Sequence, residues 1–206
     1  MKDIPIFTAT NGMASLTLRE IPYRREAYVQ VRAVFTRLDF LLRECAAFCR
    51  MAGAERVFAS GSEDFSAYPV HARLMEREIS KEMLPAVEAK AIPTEDTQWL
   101  TCYREAFRNV PVARTLEHME HCYWIEEKGE RIGFGQIHEG MLHTVAALQK
   151  GAGARCVCAL AATDSAPIIR LLCAMENEPA MKLYDRLGFT HGAIKESWHE
   201  ITNLTL

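Results

Sequence analysis

Apolar and polar residues along this chain alternate between two regimes, one with period two and one with period close to 3.6. Their order predicts an α/β protein. Residues 27–35, AYVQVRAVF, alternate apolar with polar and are rich in β-branched and aromatic side chains, the pattern of a strand. In LDFLLRECAAFCRMAG the apolar side chains of Leu38, Leu41, Leu42, Cys45, Phe48, Cys49 and Ala52 fall at helical spacing, and Gly53 supplies a left-handed end. ERVFAS (55–60) then reads as a second strand and YPVHARLMEREI (68–79) as a second helix. Around residues 80–95 clear periodicity is lost in a charged stretch with two prolines. This predicts a connector and a boundary near residue 88, dividing the chain into 1–88 and 89–206.

The second half repeats the plan. TEDTQWLTCYREAF opens on Thr94 as a potential helix cap and places Trp99, Cys102 or Tyr103, and Ala106 or Phe107 on one face. Two apolar runs flank EEKGE, whose Gly129 suits the turn of an antiparallel hairpin, and MLHTVAA (141–147) forms a third strand. GARCVCALAA reads as a helix, IIRLLCAM (168–175) as a strand, ENEPAMKLYDRLGF (176–189) as a helix and FTHGAIKESWHEI (189–201) as a final strand. The unit from 141 to 175 implies a right-handed crossover with its two strands parallel. The expected fold is therefore a mixed sheet flanked by helices.

The helix at 176–189 carries clear punctuation. Asn177 can cap it, Glu178 complements its positive end, Pro179 is tolerated in its first turn and Gly188 can end it. Ala180, Leu183, Tyr184 and Leu187 share one face. On periodicity alone Tyr184 is a core residue.

Composition narrows the function classes. A chain of 206 residues can bury a core without staples, and a formal net charge of -3 gives no reason to expect nucleic acid or an anionic membrane as the main partner. The first twenty residues lack an apolar core of signal-peptide length, and no run of eighteen apolar residues occurs, so a cytoplasmic protein is expected. Cys45, Cys49, Cys102, Cys122, Cys156, Cys158 and Cys173 are an odd set without a C-x-x-C pair and read as reduced, mostly buried thiols. HMEHC, with His118, His121 and Cys122, is the tightest metal-like cluster, but it lacks a second ligand pair at zinc spacing, and no metal is expected.

NEPAMKLYDRLGF resembles the N-x-x-A-x-x-L-Y-x-x-x-G-F signature of the GNAT superfamily of acyl-CoA-dependent N-acetyltransferases, with Asn177, Ala180, Leu183, Tyr184, Gly188 and Phe189 falling on it. The resemblance covers about residues 90–206. The family's pyrophosphate loop, Q/R-x-x-G-x-G/A, is matched by LQKGAGARCVCALAA in one of two registers. The preferred register puts Gln149 in the first position, with Ala152 and Ala154 in the fourth and sixth; the other puts Gly151 and Gly153 there and leaves Leu148 in the polar position. Independently of the family, small residues before a helix let the backbone approach an anion at the positive helix end, and Lys150 and Arg155 add charge.

The resemblance implies a mostly antiparallel sheet with a splayed parallel pair at 141–147 and 168–175, preceded here by a degenerate half of similar element order. Residues 1–88 have FTRLDFLLREC where a glycine loop would stand and lack the second signature, so this half is expected to be non-catalytic and to shape the acceptor pocket. The resemblance further implies that acetyl-CoA lies between the splayed strands. Backbone groups near Leu142 and Thr144 would hold its arm, and Gln149, Lys150, Gly151, Ala152, Gly153, Ala154 and Arg155 its diphosphate, with Asn177 and Tyr184 completing the site. Tyr184 would protonate the departing thiolate. A base must first take a proton from the acceptor amine, and Glu176, Glu139, His138 and His143 stand near the sheet, with Glu176 preferred because it closes the bordering strand. The implied activity is direct acetyl transfer from acetyl-CoA to a primary amine, small or peptidic. A non-catalytic acyl-CoA sensor and an interaction protein on the same fold are the alternatives.

Overall fold

The computed structural model describes residues 2–112 and 120–205. The chain forms two compact units, Met1–Arg73 with Glu196–Leu206, and Leu74–Lys195. This division differs from the boundary expected near residue 88. The residues just before 88 build the second unit, and the last strand returns to the first.

In the first unit, β1 (Ile4–Ala9) and β2 (Gly12–Thr17) form a hairpin, followed by the single turn α1 (Ile21–Arg24), β3 (Glu26–Val34), α2 (Leu38–Met51) and β4 (Arg56–Ser60). The strand order is β1-β2-β3-β4, with β11 (Ile194–Glu200) pairing β4. Leu41, Leu42, Cys45 and Cys49 of α2 are fully buried against Ala14, Leu16, Val29 and Val57, and Gly53 at φ +99° follows the helix end as expected. Strands β3 and β4 are parallel and stay paired from Glu26↔Arg56 to Gln30↔Ser60.

The second unit holds β5 (Val70–Ser80, from Leu74 onward), β6 (Lys90–Pro93), α3 (Thr97–Ala106), β7 (Cys122–Glu127), β8 (Glu130–His138), β9 (Met141–Ala147), α4 (Gly153–Thr163), β10 (Ile168–Ala174) and α5 (Glu178–Leu187). Its strand order is β5-β10-β9-β8-β7-β6, with every pairing antiparallel except β9–β10. The adjacent residues Trp124 and Ile125 serve opposite faces. Trp124 joins Trp99, Tyr103 and Phe134 beneath α3, whereas Ile125 joins Ile132, Ile137, Leu142 and Leu171 with α4.

Three expectations about elements are corrected. Residues 70–80 form a strand, not a helix: Leu, Met, Glu and Arg favour helix, but seven ladder pairs from Leu74↔Ala174 to Ser80↔Ile168 override that propensity. The cap of α3 is Asp96, whose Oδ1 accepts from the Gln98 backbone N–H at 2.9 Å, while Thr94 Oγ1 accepts from the Asp96 N–H. The stretch read as a connector contains β6, which pairs β7 from Lys90↔Glu126 to Pro93↔Tyr123.

Candidate functional site

Strands β9 and β10 share one ladder pair, Met141↔Arg170, at their N-terminal ends and part beyond it. Strands β3 and β4, by contrast, stay closed over five pairs. Strand β9 also carries a bulge on its β8 side. Leu142 faces Ile137 and Thr144 faces Gln136, so two β9 residues separated by His143 oppose adjacent β8 residues, and His143 is the extra one. Leu142 and Thr144 are buried, while His143 is exposed.

At the far end of β9 the chain turns through Gly151 at φ +82° into α4, whose cap residue Ala152 is fully buried and offers no side chain to the first helix amides. The first turn of this helix therefore presents main-chain N–H groups with no side-chain cap. Gly153 touches the next motif directly: a methyl group on it would come 3.1 Å from Leu183 Cδ2. The left-handed conformation falls on Gly151 and the close approach on Gly153. Gln149 Nε2 donates to Glu130 Oε2 at 3.3 Å, Lys150 is exposed, and Arg155 Nε lies 3.2 Å from Glu127 Oε1 at ion-pair distance without hydrogen-bond alignment. Ala154 is half-buried in the first turn. The charge of Arg155 is thus drawn toward β7.

Helix α4 lies close to the sheet because β8 carries glycines beneath it. Cβ atoms at Gly133 and Gly135 would collide with Cys156 Sγ and Leu160 Cδ1. Helix α5 has the expected punctuation, since the Asn177 side chain accepts from the Ala180 N–H and Gly188 ends the helix at φ +88° with the Phe189 N–H bonded to the Tyr184 carbonyl. Asn177 is thereby occupied as a cap.

Tyr184 is 7 % exposed, packed edge-on against Phe189 with ring centroids 5.3 Å apart. Burial pushes its hydroxyl well above the usual phenol range; the nearby Cys173 thiol on β10 adds to the shift and Arg77 opposes it. No described residue hydrogen-bonds this hydroxyl. Glu176 stands exposed in the turn between β10 and α5.

Arg77 is the residue that sequence reasoning missed. Fully buried on β5, it donates to the carbonyls of Met181 (3.3 Å), Phe189 (2.9 Å) and Thr190 (3.2 Å) and to Asp185 Oδ1 (2.6 Å), fastening the C-terminal end of the helix that carries Tyr184. An arginine in a segment read as an amphipathic helix gave no signal of burial.

Beside the bulge, the rings of His121 and His138 stack with centroids 3.9 Å apart, and His138 Nε2 lies 3.9 Å from Glu139 Oε1. His121 and Cys122, with Pro93, Thr94, Glu95, Glu120 and Tyr123, also line a concavity. His118 of the metal-like cluster lies outside the described residues. Among the described residues no group of three or more His, Cys, Asp or Glu is arranged to hold a metal ion, and no helix is long and apolar enough to cross a membrane.

No family model and no curated protein matches this chain. Solved structures do. A candidate acetyltransferase from Pyrococcus horikoshii is 15% identical, with a TM-score of 0.63 over 93% of this chain and 69% of that one. A GCN5-related N-acetyltransferase from Kribbella flavida is 12% identical, with a TM-score of 0.52 over 95% and 88%. A tandem GNAT protein from the clavulanic acid biosynthesis pathway is 13% identical, with a TM-score of 0.52 over 92% and 78%. The chain has the GNAT superfamily fold: a mixed, mostly antiparallel α/β architecture with a splayed parallel pair. Its arrangement in two units accords with the tandem protein among these neighbours.

Proposed function

We propose that this protein is an N-acetyltransferase that moves an acetyl group from acetyl-CoA directly to a primary amine. The observation that carries the reading is the co-occurrence of three features in one unit: strands that part after Met141↔Arg170, helix amides without a side-chain cap, and a buried tyrosine whose hydroxyl bonds to no described residue. The residues present fit the co-substrate. The amides of Gly151, Gly153, Ala154 and Arg155 would bind its diphosphate at the positive helix end, around Ala152, whose own N–H donates to the Gln149 carbonyl, and Lys150 is exposed to join them. The β9 backbone at Leu142 and Thr144 would hold its arm in the gap toward β10. When bound, acetyl-CoA supplies an activated acyl carbon and a thiolate leaving group.

The chain's own groups would do the rest. A β9 amide stabilises charge on the carbonyl oxygen, and Tyr184, held protonated by its burial, donates to the departing sulfur. The acceptor is an amine of a small molecule or peptide. The first unit is read as non-catalytic, because β3 and β4 stay closed and the residue capping α2 is Arg37, in a loop without glycine.

Incubation with acetyl-CoA and a panel of primary amines tests the assignment, with acetylated product detected by mass. Product formation that requires both components is the expected result. Acetyl-CoA that raises the melting temperature without transfer would instead make the protein an acyl-CoA sensor, and no shift at high concentration would leave a fold without this ligand.

A further inference from the structure

The position of His143 has an explanation that the sequence pattern alone did not provide. It stands two residues past Met141, the last β9 residue paired with β10, so it sits where the two strands begin to part. It is also the unpaired residue of the bulge, turned out of the β8–β9 ladder and exposed, while its neighbours Leu142 and Thr144 are buried. Bulges re-aim a side chain at the cost of ladder bonds. The side chain re-aimed here is an imidazole.

We propose that His143 is the base that takes the proton from the acceptor ammonium, in place of Glu176, with the stacked His121 and His138 as its neighbours on the path to solvent. This inference rests on the acetyltransferase reading. Glu176 stands beyond the end of β10 in the turn to α5, whereas His143 lies on the strand expected to hold the thioester.

The charged and titratable groups around it fit this role. His138 at the end of β8 and His121 just before β7 act on His143 electrostatically, Glu139 lies beside His138, and Glu120 precedes His121. Partial desolvation of the ring, whose residue is still open to solvent, pushes the His143 imidazole below the ordinary histidine value, and the two other histidines push it the same way. A neutral imidazole at pH 7 can accept a proton and does not repel a cationic amine, while the carboxylates of Glu95 and Glu120 on the neighbouring concavity attract one.

The steps balance. The ammonium gives one proton to His143, which passes it to solvent. The nitrogen lone pair then forms the C–N bond, the C–S bond breaks, and the sulfur takes a proton from Tyr184. The second proton lost by the nitrogen restores the phenol, and one proton is released per turnover.

The test compares wild-type protein with H143Q and H143A on an amine that the wild type acetylates, following kcat/KM from pH 5 to 9. H143Q should lose about 10²-fold at pH 7. The wild-type fall at acid pH should disappear in the variants, and added imidazole should restore part of the activity of H143A. Imidazole NMR of the folded wild type gives a second readout that requires no turnover, in which His143 should titrate below the ordinary value of 6.5. An H143Q enzyme with wild-type kcat/KM and pH profile overturns the proposal, as does loss confined to E176Q or a His143 ring still protonated above pH 7. If the wild type acetylates no amine at all, it is the acetyltransferase reading that fails.

Discussion

Tyr184 is a buried phenol whose ring is held by Phe189 and whose hydroxyl bonds to no described residue. Removing that oxygen breaks no hydrogen bond to a described residue, so Y184F should fold with an unchanged melting temperature. Its kcat should nevertheless fall by about 10²-fold if the hydroxyl is the acid. Full turnover by a folded Y184F would remove it from the mechanism. At His143 the expected effect is on stability as well as rate. The folded state disfavours the imidazolium, while the unfolded chain protonates near 6.5, so this group's contribution is present above that value and is lost as pH falls from there through the lower folded-state value. H143Q should therefore show a flatter dependence of stability on pH between 7 and 5 in chemical denaturation. Asn177 and Gly188 could be read from sequence because caps and glycine ends have local causes. Arg77 could not, because its burial is set by partners more than a hundred residues away.

The elements explain how the groups are held. Arg77 on β5 satisfies carbonyls within α5 (Met181) and just after it (Phe189 and Thr190), so R77M would leave these acceptors without that donor. A loss of about 3 kcal/mol in denaturant unfolding is expected, with kcat reduced as the Tyr184 helix loosens. R77K should not restore it, since an ammonium cannot reproduce the planar fork. Beneath α4, a methyl group at Gly135 would meet Leu160 and would lie 2.6 Å from the Thr144 carbonyl. G135A should accordingly cost about 1–3 kcal/mol and weaken acetyl-CoA binding by shifting the helix that presents the anion site. Helices α2, α3 and α4 and the β7–β8 hairpin were legible from periodicity. Strand β5 was not: its residues favour helix in isolation, and only the ladder to β10 decides otherwise.

For the whole molecule, the division into units changes what a truncation can mean. Removing residues 1–88 takes away the β5 segment and Arg77, which belong to the second unit, and leaves β11 without β4. Such a deletion should abolish folding and so reports nothing about the acceptor pocket. The two-unit plan was visible as repeated element order, but the place of the last strand was not, because its pairing with β4 spans most of the chain. The physical difference between the units is the state of the parallel pair, closed in the first and open in the second.

A crystal structure with acetyl-CoA bound decides whether that opening is the site of acyl transfer. The diphosphate should rest on the amides between Gly151 and Arg155, with the sulfur within hydrogen-bonding distance of the Tyr184 hydroxyl and the acetyl group between β9 and β10 facing His143. A nucleotide bound elsewhere, or a Tyr184 hydroxyl turned away from the sulfur, would contradict it.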